Sequence, residues 1–248
     1  MYRIPPKSAF LCLFIILTTA GAIPVDAAEP LNVLFIGNSY TAANNLPNMV
    51  TTLARAGKQR PIAAKAITPG GYTFAKHLAL KKTQAAIKAG DWDVVVLQQQ
   101  SQMPVFMPDV TRSNAVKLHA EIKEHNPDAR IIFYLTWARE HIPDMQKGLN
   151  ATYFAAAKET KSEVAPTGIA WEAARKANPE LKLYTGDKSH PNAAGTYLTA
   201  CVFYATIFDA DPTGLPGAVA RLSNEQAKEL QTVAWQTVNS FKADESAP

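Results

Sequence analysis

Five short apolar runs rich in β-branched residues recur along the chain, at positions 32–36, 62–67, 93–97, 130–135 and 163–166. Each reads as a strand, and longer amphipathic stretches separate them. Val94-Val95-Val96-Leu97 shows no polar alternation, so this strand is expected to be buried on both faces. Apolar residues at helical spacing predict helices over 45–56, 73–89, 110–125, 144–160 and 169–177, followed by two more over 192–208 and 223–242. Gly57 and Gly90 stand just past two of the predicted C-termini, and Ser223 with Gln226 has the spacing of a capping box.

Strands alternating with helices in this way predict an α/β fold: a three-layer α/β/α sandwich around a five-stranded parallel sheet. Right-handed crossovers restrict the strand order, and the expected arrangement is the flavodoxin-like 2-1-3-4-5. No repeat, low-complexity tract or long linker divides the chain, so one domain is expected after the N-terminal segment. Ligands of such sheets bind outside the carboxyl ends of the strands, which directs attention to the loops that follow each strand.

Composition narrows the class. With 248 residues, 47% apolar and 19% charged, the chain has enough apolar material for a sizeable core and is neither disordered nor fibrous. Residues 1–27 read as an export signal: Arg3 and Lys7 precede an apolar run from Ala9 to Ala22, and Val25-Asp26-Ala27 puts small residues at the cleavage positions. The expected mature chain begins at Ala28, is exported to the periplasm or the medium, and keeps no stable membrane anchor, because the apolar run is shorter than a spanning helix needs. Cleavage removes Cys12 and leaves Cys201, in the apolar stretch 198–208, as a buried small hydrophobe rather than a nucleophile. The net charge falls from +4 to +3, since the removed segment carries Arg3 and Lys7 against Asp26. That excess implies no nucleic acid, and the Lys81-Lys82 pair reads as a solvated helix face.

The strand ends carry a set of polar residues: Gly37-Asn38-Ser39-Tyr40-Thr41, Pro69-Gly70-Gly71-Tyr72-Thr73, Gln98-Gln99-Gln100-Ser101 and Thr136-Trp137-Ala138-Arg139. Far downstream, Asp187-Lys188-Ser189-His190-Pro191 precedes a helix. Ser39 has two readings, a turn or N-cap residue and a hydroxyl exposed at a sharp strand exit beside backbone N–H groups. The G-x-S-x-G elbow of α/β-hydrolases is absent, because position 41 is Thr. Asp187 and His190, three apart, fit a base with its orienting acid, two metal ligands, or a surface turn. The metal reading needs more ligands from His77, His119, His125 or His141, none of them in a recognised spacing. His77 and His141 are expected at the surface or in loops, and Trp171 and Tyr197 in the core.

Taken together, these blocks resemble the SGNH (GDSL-like) hydrolase superfamily. Val33-Leu34-Phe35-Ile36-Gly37-Asn38-Ser39 is similar to its first block and Asp187-Lys188-Ser189-His190-Pro191 to its final D-x-x-H-P block, with matching order and spacing over nearly all of residues 28–248. The resemblance implies Ser39 as nucleophile, His190 as its base and Asp187 as the orienting acid, with an oxyanion hole from the Ser39 N–H, a Gly71 N–H and a side-chain amide. Two departures stand out: Asn38 replaces the block-one Asp, and Gln98-Gln99-Gln100 replaces the block-three Asn. Gln98 and Gln100 point to the same side of an extended strand, so either could offer the amide. The Gln substitution resembles a carbohydrate-esterase branch that includes acetylxylan and sialate O-acetylesterases.

The resulting expectation is an exported serine esterase that removes acetyl or other short acyl groups, with a carbohydrate ester as its partner and no cofactor or metal. Trp137, Tyr72 and Arg139 have two readings, a sugar platform with a polar clamp and, for the two aromatic rings, ordinary packing. Other readings are lipid or thioester hydrolysis, with Met103, Val105, Phe106 and Met107 lining an acyl groove, acyl transfer onto an envelope polysaccharide, and a non-catalytic carbohydrate-binding protein.

Overall fold

In a computed structural model that describes residues 29–246, five parallel strands lie in the order β2-β1-β3-β4-β5. They are β1 (Leu31–Ile36), β2 (Ile62–Ile67), β3 (Val94–Leu97), β4 (Arg130–Tyr134) and β5 (Glu163–Ala165). Strands, order and direction match the sequence expectation. The export signal expected over residues 1–27 lies outside the described residues.

Alternation along the strands divides the core in two. Val33, Phe35, Val94, Val96, Ile132 and Tyr134 face α2 (Leu46–Ala56), α8 (Thr167–Ala177), α9 (Ala193–Phe208) and α10 (Asn224–Ser246). Leu34, Ile36, Val95, Leu97, Ile131 and Phe133 face α3 (Phe74–Ala79), α4 (Lys81–Lys88), α6 (Pro108–His125) and α7 (Met145–Thr160). Both faces of the central strands are therefore covered, which is why β3 reads as a continuous apolar run. The helix α9 is apolar all round because it is enclosed, with every residue from Ala194 to Ile207 buried. The edge strand β2 differs: Ala63, Ala64, Lys65 and Ala66 are exposed between buried Ile62 and Ile67, and its charge at the rim discourages further strand pairing.

Boundaries follow local chemistry. Ser223 and Gln226 exchange backbone-to-side-chain bonds of 3.2 Å in each direction, the capping box expected at the start of α10. Two features differ from the sequence expectation. The single helix expected over 73–89 is two, broken at Leu80, whose ψ of 112° is extended. Two one-turn helices also appear, α1 (Ser39–Ala42) and α5 (Met103–Phe106), both too short to leave a periodic signal. Among the described residues no helix is long and apolar enough to cross a membrane.

Candidate active site

The strand ends at the carboxyl edge bring the sequence-predicted residues together. The chain leaves β1 at Gly37 and turns into α1 with Asn38 as N-cap, whose side-chain oxygen accepts from the Tyr40 N–H at 3.1 Å. Ser39 is thus the first helical residue. Its N–H belongs to the unsatisfied group at a helix start and has no partner among the described residues.

Ser39 Oγ lies 2.8 Å from His190 Nε2, and His190 Nδ1 lies 2.5 Å from Asp187 Oδ2. Asp187 and His190 sit not on a helix but in a tight loop that the Tyr184–Pro191 bridge closes at its base, with Lys188 in the left-handed region at φ 59°. Asp187 Oδ1 accepts from the Thr185 hydroxyl and from the N–H groups of Ser189 and His190, at 2.8 to 2.9 Å. Desolvation pushes this carboxyl up, but the bonds from the His190 ring and N–H, then from Thr185 and Ser189, outweigh it. They hold it well below its usual range. An ionised carboxylate only accepts, so Nδ1 of His190 carries a proton, and whenever the ring is neutral its Nε2 faces the Ser39 hydroxyl as acceptor.

The loop is held from beneath by aromatic residues. Tyr40, Trp137 and Trp171 stack with centroid spacings of 4.9 and 3.7 Å and nearly parallel planes. The Trp137 indole N–H donates to the Ser189 carbonyl at 3.0 Å, and the Tyr40 hydroxyl lies 2.6 Å from Ser189 Oγ. Tyr40 also presents its ring to the edge of His190. This corrects the sugar-platform reading: Trp137 is 1% exposed and cannot meet a ligand. Tyr72 and Arg139 are half-buried. Arg139 Nε is buried without a hydrogen-bond partner, and the guanidinium has no carboxylate partner among the described residues. Trp171 and Tyr197 are core residues and Cys201 is buried, as expected.

The two glutamines separate. Gln98 is fully buried; its Oε1 accepts from the Asn38 N–H at 2.9 Å and from the Thr41 hydroxyl at 3.0 Å, while its Nε2 is bonded to the Gln99 carbonyl. Its amide is consumed in fixing the turn before Ser39, which removes it from the candidate donors. Gln100 uses Oε1 to cap α5, accepting from the N–H groups of Gln102 and Met103, and its Nε2 has no partner among the described residues. Gly71 is exposed and has φ +68°, a left-handed conformation that favours glycine, and its N–H is likewise without a partner. Asn38 Nδ2 donates to the Tyr72 carbonyl at 3.1 Å, tying the Gly71 loop to the Ser39 loop, a bond that an Asp there could not donate.

His77 is a second correction. Expected at the surface, it is fully buried between the Gly37 carbonyl and the Thr83 hydroxyl, whereas His141 is exposed as expected. Sequence periodicity hid this, because positions 77 and 83 lie about 120° apart on a straight helix of 3.6 residues per turn. The break at Leu80 brings them together. Among the described residues no group of three or more His, Cys, Asp or Glu side chains could hold a metal ion.

No family model matches the sequence, and no curated protein does. Solved structures do match. A protein from Slackia heliotrinireducens assigned to the SGNH hydrolases is 26% identical, covers 72% of this chain and 100% of its own, and superposes with a TM-score of 0.63. A DUF4886 family protein from Bacteroides uniformis is 17% identical over 85% of this chain and 95% of its own, with a TM-score of 0.73. A variant of an acetyl-xylooligosaccharide esterase from Geobacillus stearothermophilus is 20% identical over 73% of this chain and 95% of its own, at a TM-score of 0.59.

Proposed function

We propose that this chain is an SGNH/GDSL-like hydrolase acting on ester bonds, a reading supported by its likeness to the Slackia heliotrinireducens protein, and that it removes acetyl or other short acyl groups from carbohydrate by a Ser39–His190–Asp187 acyl-enzyme mechanism. The observation that carries the reading is the continuous hydrogen-bonded chain from Ser39 Oγ through the His190 ring to Asp187. His190 Nε2 takes the Ser39 proton as Oγ attacks the ester carbonyl, and the resulting imidazolium returns it to the departing alcohol. Water, deprotonated by the same nitrogen, then releases the acid and regenerates Ser39. Charge growing on the carbonyl oxygen is met by the N–H groups of Ser39 and Gly71 and by Gln100 Nε2. Arg139 and Tyr72, both half-buried at the same edge, contact the sugar. Export of the chain, supported by Arg3, Lys7 and the apolar run from Ala9 to Ala22, belongs to the same proposal and would place the enzyme where polysaccharide esters occur.

The test is hydrolysis of chromogenic acetate and octanoate esters and of acetylated xylo-oligosaccharide by purified residues 28–248, together with a fluorophosphonate probe and peptide mapping. Acetate preference and a single adduct on Ser39 are expected. No turnover with no adduct sinks the proposal. Medium-chain lipid hydrolysis is the second reading, favoured by Phe106 and Met107, which are 67% and 47% exposed on the segment after β3; an octanoate preference would select it.

Gln100→Glu separates the donor from the cap. The carboxylate keeps an acceptor for the Gln102 and Met103 N–H groups and deletes the N–H that would face the oxyanion. With loss of one such donor, kcat is expected to fall at least about a hundredfold. The melting temperature should stay near wild type. An unchanged kcat would remove Gln100 from the oxyanion hole.

A further inference from the structure

We propose that His77 is a positioning residue for Ser39: by gripping the Gly37 carbonyl it sets the peptide plane from which the Ser39 hydroxyl and N–H are presented. The inference rests on the reading of Ser39 as nucleophile. Its basis is a set of bonds around a single peptide. His77 Nε2 lies 2.8 Å from the Gly37 carbonyl oxygen, and Nδ1 lies 2.9 Å from Thr83 Oγ1. A carbonyl only accepts, so Nε2 carries the proton and Nδ1 of the neutral ring accepts from Thr83. Burial pushes the imidazole pKa down and favours that neutral form.

The other end of the same peptide is also held, because the Asn38 N–H donates to Gln98 Oε1 at 2.9 Å. The following carbonyl, that of Asn38, accepts from the N–H groups of Thr41 and Ala42 at 3.1 and 3.0 Å. Both peptide planes that precede the Ser39 side chain are thereby fixed. Gly37 cannot fix its own plane. Glycine is the most permissive residue, and a Cβ here would collide with Thr41 Oγ1 and stand 2.8 Å from Gln98 Oε1. The constraint has to come from outside the turn, and His77 supplies it at the carbonyl. The same ring packs edge-on against Tyr72, on the loop that carries the Gly71 N–H, with centroids 5.3 Å apart. A histidine serving the core alone would be satisfied by any buried acceptor; this one bonds two residues ahead of Ser39.

Two substitutions divide the ring's functions. The amide nitrogen of Gln reaches the position of Nε2, and that of Asn reaches the position of Nδ1, so His77→Gln keeps the grip on Gly37 while His77→Asn keeps only the Thr83 side. Misplacing a reacting group by about 1 Å costs roughly a hundredfold, so His77→Asn is expected to lower kcat by about that factor per folded molecule with KM nearly unchanged. His77→Gln should recover most of the loss. Equal losses in the two variants, or a full kcat in His77→Asn, would overturn the proposal. Should His77→Asn fail to fold, nitrogen-15 NMR of the wild-type ring decides: a neutral Nε2–H tautomer is expected at neutral pH, and an Nδ1–H tautomer or an imidazolium would overturn it. Fluorophosphonate labelling of the wild type runs alongside. An adduct on Ser39 with equal kcat losses in the two variants defeats the His77 proposal alone, whereas no adduct defeats the nucleophile reading beneath it.

Discussion

Ser39→Ala is expected to lower kcat for an acetate ester by on the order of a millionfold, to the level that oriented binding and an oxyanion hole sustain without a nucleophile. The side chain is half-buried at the edge of the fold and its only side-chain partner among the described residues is His190, so its loss should leave the melting temperature nearly unchanged. Asp187→Asn probes the same chain of bonds at its other end. The amide has the shape of the carboxylate but a donor in place of one acceptor oxygen. Turned toward His190 Nδ1, that donor would force the proton onto Nε2, where it can no longer accept from Ser39. A loss of about ten-thousandfold in kcat follows for a wrong tautomer in a triad of this kind. Three of the four bonds to Asp187 converge on Oδ1 from Thr185, Ser189 and His190 N–H groups or hydroxyl, which keeps the loop shaped when Oδ2 is altered. Steady-state kinetics of the two single variants and the double variant checks the assignment: in a cooperating unit the double variant is no slower than Ser39→Ala alone. A Ser39→Ala protein that retains wild-type turnover would end the triad reading.

Trp137→Ala has the largest expected effect on stability. The indole is 1% exposed and lies between Tyr40 and Trp171, so removing it opens a cavity inside the stack. Truncations of this size cost about 3–5 kcal/mol. For a domain of this length that corresponds to a fall in melting temperature on the order of 10 °C. Trp137→Phe keeps an aromatic ring in the stack and deletes the N–H bonded to the Ser189 carbonyl together with part of the indole's volume. It should lose far less stability while lowering kcat through the loosened His190 loop. Calorimetry with kinetics separates this role from a ligand platform, which would raise KM for sugar esters and leave the melting temperature alone.

Much of the fold was legible because it rests on local patterns. The five strands, their parallel order and the capping box at Ser223 and Gln226 follow from periodicity, punctuation and crossover handedness. Ser39, Asp187 and His190 stood out as polar residues at strand exits and loop turns, and the roles proposed for them came from their resemblance to known blocks. The short helices α1 and α5 left no trace, since a single turn is shorter than the period that would reveal it.

What the sequence alone determined, then, was which residues occupy the carboxyl edge of a parallel sheet, because strand direction and alternation are written in nearest-neighbour chemistry. Only the tertiary structure decided which of them face the solvent and which support the others. Gln98 and Gln100 share one side of the chain in the sequence, yet one is enclosed around Asn38 and Thr41 and the other keeps an amide nitrogen with no partner among the described residues. Trp137 reads as a platform by its position, yet the approach of Tyr40 and Trp171 from distant segments makes it a strut. His77 meets Thr83 because the helix breaks at Leu80, and it meets Gly37, 40 residues earlier, only through the tertiary fold. In each case the deciding contact joins residues far apart in the chain or out of register on a regular helix, and burial assigned in that way has no period for a sequence to display.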